Sequence, residues 1–137
     1  MRWMGLPITL VPTFAVGALA LGTFALGSVT LGSARADDAV DAGKEIFKKC
    51  ALCHSPDAGV NKIGPSLHGI VGRHSASIEN FNYSPAMKSF DKVWDEAQLD
   101  TYLANPRGVV PGTKMVFPGL KDEKDRQNVI AYLATLK

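Results

Sequence analysis

Cys50-Ala51-Leu52-Cys53-His54 is the stretch on which the reading of this chain turns. At the end of a helix, residues spaced i, i+3 and i+4 share one face, so both sulfurs and the imidazole point the same way. The spacing is that of c-type haem attachment. Two thioether bonds to the haem vinyl groups would set the His54 ring directly beneath the iron. Cys50 and Cys53 are also the only cysteines, and so short a loop braces a fold poorly as a disulfide. A redox-active dithiol of the thioredoxin kind needs a βαβ pattern around the pair, and none is visible.

Upstream, apolar or small residues recur at helical spacing at Ala39, Gly43, Ile46, Phe47 and Cys50, with Asp37 or Asp38 available as cap. This predicts a first helix from Ala39 that ends at the cysteine pair. Before it lie Met1-Arg2, an apolar Gly/Ala-rich stretch from Leu6 to about Gly32, and Ala34-Arg35-Ala36. That order reads as a secretory signal over residues 1–36 with a small-x-small cleavage site. The stretch is also long enough to span a bilayer, so a retained leader would act as an anchor. Residues 37–137 form one small domain without internal repeats. They carry equal numbers of acidic and basic side chains, which leaves no electrostatic footprint for nucleic acid.

Downstream, residues 55–84 hold four glycines and two prolines without periodicity and read as an irregular loop. Ser84-Pro85 predicts a cap followed by proline in the first turn of a short helix through Met87. Asp95 with Gln98 forms a capping box, with Trp94 able to staple on Leu99, for a helix over 95–104 that Asn105-Pro106 stops. Residues 106–119 read as a second irregular loop. Asp122 caps a last helix whose stripe is Val129, Ile130, Leu133 and Leu136, with Lys137 at its end. The class is therefore all-α: three to four helices and long loops, which a compact domain tolerates only if they wrap something. One covalent haem is that filling. Gly43 and Tyr132 would let the first and last helices cross closely, with Phe47 and Leu133 packing toward the haem.

The second axial ligand decides whether iron carries electrons or binds small molecules. His68, His74, Met87 and Met115 are the candidates. Met115 sits in a loop about sixty residues beyond His54, where packing alone is an equally good account of a methionine.

Several segments together resemble the class I cytochromes c, most nearly the bacterial cytochrome c2 and mitochondrial cytochrome c group. They are 43–54, Gly64-Pro65-Ser66-Leu67-His68-Gly69 with Gly72-Arg73, Phe81-Asn82-Tyr83, Trp94, Tyr102-Leu103 with Pro106, Pro111-Gly112-Thr113-Lys114-Met115 with Phe117, and Ile130-Ala131-Tyr132-Leu133. The Pro-Gly-Thr-Lys-Met run is the specific one. The resemblance implies that His54 and Met115 ligate the iron and that the Pro65 carbonyl accepts the His54 Nδ1 proton. It also implies that Arg73, Tyr83 and Trp94 surround the propionates, and that Tyr102 is a further haem neighbour.

It implies, further, a periplasmic monomer that is no enzyme. Such a carrier moves single electrons between membrane complexes, such as a bc1-type complex and an oxidase or photosynthetic reaction centre. Those complexes would dock on Lys48, Lys49, Lys62, Arg107, Lys114 and Lys121. Three departures stand out. Only two residues separate Phe47 from Cys50, one fewer than in the mitochondrial proteins, which favours the bacterial branch. Met87 replaces an asparagine expected near a propionate, and Asp122 stands where a docking lysine is expected.

Overall fold

The computed structural model describes residues 31–137, with side chains from residue 35. In chain order the elements are α1 (Leu31–Ala51), α2 (Pro85–Phe90), α3 (Glu96–Ala104), α4 (Pro106–Val109) and α5 (Glu123–Thr135). Among the described residues strand pairing is confined to one antiparallel bridge between His74 and Val93.

The caps fall where the sequence puts them. Ser84 Oγ accepts from the Met87 amide at 3.0 Å, Asp95 Oδ1 from Gln98 at 2.7 Å, and Asp122 Oδ1 from Asp125 at 2.9 Å. Each such cap contributes about 1 kcal/mol. The third explains an acid where a docking lysine is expected: its carboxylate starts α5.

Three expectations need correction. Helix α1 begins at Leu31 and runs through Ala34-Arg35-Ala36, so neither Asp37 nor Asp38 is its cap. Alanine and arginine are strong helix formers, and nothing in that tripeptide breaks a helix. The rest of the expected leader, residues 1–30, lies outside the described residues. The second loop also contains a helical turn: Asn105 ends α3 and caps α4, accepting from Gly108 N at 3.2 Å, with Pro106 at the first helical position. That brings the described helices to five, against the three to four expected. Leu136 lies just beyond α5 as its C-cap. No helix among the described residues is long and apolar enough to cross a membrane.

The core gathers Phe47, Trp94, Leu99, Tyr102, Leu103, Val129, Ile130 and Leu133 from α1, α3, α5 and the segment before α3. Helices α1 and α5 cross at Gly43. A methyl there would overlap the Asn128 carbonyl and reach within 2.8 Å of Tyr132 Cβ, so only glycine permits the approach. Phe47 then lies against the Tyr132 ring, centroids 5.1 Å apart.

The chain after α4 is tied back to α3. Leu120 N donates to Leu103 O at 2.8 Å and Lys121 Nζ to Ala104 O at 3.1 Å. Gly119, at φ +92°, makes that return possible: a side chain there would collide with the last carbonyls of α3. Arg126 of α5 completes the clamp, reaching Asp100 at 2.7 Å and the Leu120 and Lys121 carbonyls at 3.1 Å.

Candidate functional site

These elements enclose a cavity of about 300 Å3, at the lower end of the range for small-molecule and cofactor sites. It is lined by all nine residues singled out from sequence: Cys50, Cys53, His54, Pro65, Arg73, Tyr83, Trp94, Tyr102 and Met115. Of the other axial candidates, Met87 and His74 line it too, and His68 does not. Leu133 is part of the lining, whereas Phe47 is spent on the helix crossing.

The His54 wall is built by the end of α1. The Cys53 and His54 amides both turn back to the Cys50 carbonyl, at 3.0 and 2.9 Å, which brings the two cysteines and the imidazole onto one wall. Gly64 N then donates to Cys53 O at 2.7 Å and draws the following loop across the ring. His54 Nδ1 lies 2.7 Å from the Pro65 carbonyl. A carbonyl only accepts, so Nδ1 carries the proton and Nε2 keeps its lone pair. Burial lowers the His54 pKa, the Pro65 bond works against that, and the Arg73 and Lys62 charges add to it, so the ring stays neutral and able to ligate. Burial likewise pushes the Cys50 thiol up, only partly offset by Lys49. A protonated buried thiol is a poor redox nucleophile, which counts against dithiol chemistry.

Met115 is held by its own loop. Thr113 N bonds Val110 O at 3.0 Å, Met115 N bonds Thr113 Oγ1 at 3.2 Å, and Lys114 Nζ reaches across to Asn82 O at 3.0 Å. Tyr102 directs its hydroxyl at the Met115 sulfur, 3.7 Å away. Its pKa is raised by burial, so the phenol remains a donor at neutral pH.

Arg73 donates to the His68 and Ser66 carbonyls at 2.8 and 2.9 Å, and no Asp or Glu lines the cavity to neutralise it. The site thus combines two thiols, an imidazole, a thioether, an apolar wall of Leu67, Ile70, Leu99, Leu103 and Val129, and a guanidinium without a carboxylate. That donor set fits an amphipathic iron macrocycle bearing acidic groups.

Sequence reasoning did not single out Gly64 or Thr113. A Cβ on Gly64 would sit 2.6 Å from Nδ1 and 2.8 Å from Nε2 of His54, so its missing side chain is the room the imidazole occupies. Its place beside Pro65 in a matched segment was the available signal. The expected docking cations are only partly brought to the mouth. Lys49 and Lys114 line it, Lys62 Nζ bonds the Ala51 carbonyl, Lys48 pairs with Glu45, and Lys121 is tied to α3.

A family model described as Cytochrome c matches residues 40–137. Cytochrome c2 of Rhodomicrobium vannielii is 53% identical over 95 residues, covering 68% of this chain and 75% of that protein. Cytochrome c-554 of Methylosinus trichosporium is 49% identical over 94 residues, 68% of this chain and 71% of its own length. Among solved structures, cytochrome cH from Methylobacterium extorquens superposes with a TM-score of 0.66 at 41% identity, over 70% of this chain and 97% of the other.

Proposed function

The chain belongs to the cytochrome c family, and from that premise we propose that it is a periplasmic one-electron carrier shuttling between membrane redox complexes. It is a haem-c protein of the electron-carrier kind, with one covalently bound haem. The observation that carries the finer reading is the gathering of Cys50, Cys53, His54, Tyr102 and Met115 on one cavity.

When bound, the haem supplies a single-electron ferric/ferrous couple. Cys50 and Cys53 would anchor it through thioethers, which would keep it from being lost outside the cytoplasm. His54 offers Nε2 to the iron, fixed in orientation by Pro65. Met115 offers a soft sulfur that favours the ferrous state and raises the potential. The apolar wall acts in the same direction, because a low dielectric disfavours the extra ferric charge. Arg73, Tyr83 and Trp94, all on the cavity lining, would receive the haem's acidic groups. His54 and Met115 would both hold the iron, a donor pair suited to carrying electrons rather than to binding a substrate. The small-x-small site at Ala34-Arg35-Ala36 supports export, and N-terminal sequencing of the purified protein tests whether cleavage follows Ala36.

The complexes are met by a monomer through Lys48, Lys49, Lys62, Arg107, Lys114 and Lys121. The deciding experiment is a visible spectrum of protein matured in a host competent for haem ligation. A six-coordinate low-spin spectrum with the weak far-red methionine-to-iron band supports the carrier. A high-spin spectrum would instead mark a haem enzyme or gas sensor, and a colourless protein with two free thiols would end the reading.

A further inference from the structure

We propose that the groove between α3 and α5 is a second docking site, which holds a lysine or arginine side chain presented by a cationic segment of a partner protein. No residue lines both this groove and the haem cavity, so failure of one reading leaves the other standing.

The groove has a volume of about 350 Å3 and is lined by Glu96, Ala97 and Asp100 of α3 and by Glu123, Ile130 and Ala131 of α5. Helical spacing creates it. On α3 the positions 96, 97 and 100 share one face, while Leu99, Tyr102 and Leu103 are buried on the other. On α5 Glu123, Gln127, Ile130 and Ala131 follow the same three-and-four spacing along one stripe. Ala97, Ile130 and Ala131 supply an apolar floor, three carboxylates surround it, and no Lys, Arg or His joins the lining. Such a trough suits a long amphipathic cation, whose methylene stem lies on the floor while its charged head meets the acids.

The first turn of a helix favours an acid, which accounts for Glu96 and Glu123 taken singly. It does not account for their opening, with Asp100, on one groove. Asp100 already serves Arg126, and Glu123 accepts from Gln127 Nε2 at 3.0 Å, so the acids are held apart by ties of their own. Among the described residues no three acids, histidines or cysteines gather closely enough to hold a metal ion. A spread organic cation therefore fits where a point charge does not. The haem cavity is lined by Lys49 and Lys114 and by no acid, so the chain presents opposite charge at two separate places. A basic partner in the groove leaves the haem mouth uncovered, and the carrier stays held there while its mouth exchanges electrons.

The test titrates ferrous, nitrogen-15-labelled holoprotein with tetralysine amide at low salt and follows the backbone amide shifts. Saturable shifts are expected at Ala97, Gln127 and Ala131, and none with the side-chain-acetylated peptide. The variant E96Q/E123Q, which leaves the caps Asp95 and Asp122 in place, should bind tetralysine roughly fivefold or more weakly, as the loss of two exposed ion pairs predicts. E96Q alone should give part of that loss. Shifts that do not saturate, shifts confined to other surfaces, or undiminished binding by the double variant overturn the proposal. Spermidine binding as tightly as tetralysine overturns it in favour of a free polyamine, and a wild-type dimer abolished by E96Q/E123Q overturns it in favour of self-association. The carrier reading is judged separately, from a reversible one-electron wave of wild type in solution.

Discussion

Gly64 and His54 touch across the wall of the cavity so closely that the glycine's missing side chain is part of the histidine's binding pocket. Gly64→Ala would push the ring away from the Pro65 carbonyl. Overpacking at so tight a contact costs about 1–3 kcal/mol, and denaturant unfolding of the holoprotein should show that loss. The far-red band should weaken with it. A variant with wild-type stability and spectrum would mean that the loop, and not the glycine, sets the ring.

Met115 and Met87 line the same cavity but should differ in consequence. Met115→Ala is expected to abolish the methionine-to-iron band and lower the potential. Met87→Ala should leave the band in place. Tyr102→Phe removes the donor 3.7 Å from the Met115 sulfur, which leaves more electron density on it and lowers the potential while keeping the band. Loss of the band in the Met87 variant alone would transfer the ligand role.

Gly43 is the contact through which α1 and α5 meet. Gly43→Ala would gain intrinsic helix propensity of about 1 kcal/mol and lose more through forced separation of the helices. The net effect should be a lower unfolding midpoint, measured by helical circular dichroism. A raised midpoint would show that the crossing has slack.

Arg126 is only 12% exposed at its side chain, and Asp100, its carboxylate partner at 2.7 Å, is 38% exposed. Asp100→Ala leaves that cation with two carbonyls and no counter-charge. Because the acid is partly in water, the expected cost is about 1–2 kcal/mol, below that of a fully buried pair. Urea unfolding checks it, and a neutral result would place the clamp's strength in the carbonyl bonds.

Residues 37–137 are charge-balanced, so any long-range steering must come from local asymmetry. Reduced holoprotein should be oxidised by anionic ferricyanide at a rate that falls as salt rises, and Lys49→Glu should flatten that dependence. A rate indifferent to ionic strength in wild type would remove the cationic docking role.

What could be read in the sequence was what acts over three or four residues. The caps Ser84, Asp95 and Asp122 were legible because each side chain serves an amide within its own turn. The cysteine-histidine wall was legible for the same reason. Helix α4 was hidden because Pro106 and Gly108 read as breakers, although proline at the first position of a turn starts one. The beginning of α1 was obscured by a tripeptide that suits both a peptidase and a helix. The role of Gly64 had no signal beyond its place beside Pro65 in a matched segment, because it depends on a ring ten positions earlier, brought there by the fold. Lysines were legible as charges but not as ties, since Lys62 and Lys121 are committed to carbonyls that no local pattern connects to them.

The crossing at Gly43 joins the two ends of the domain, and both crossing helices contribute to the haem wall: α1 gives Cys50, and α5 gives Val129 and Leu133. The terminal clasp and the metal seat are therefore one mechanical object. Prising the last helix from the first would open the chamber to water at the same stroke, so the redox couple doubles as a gauge of whether the clasp is shut.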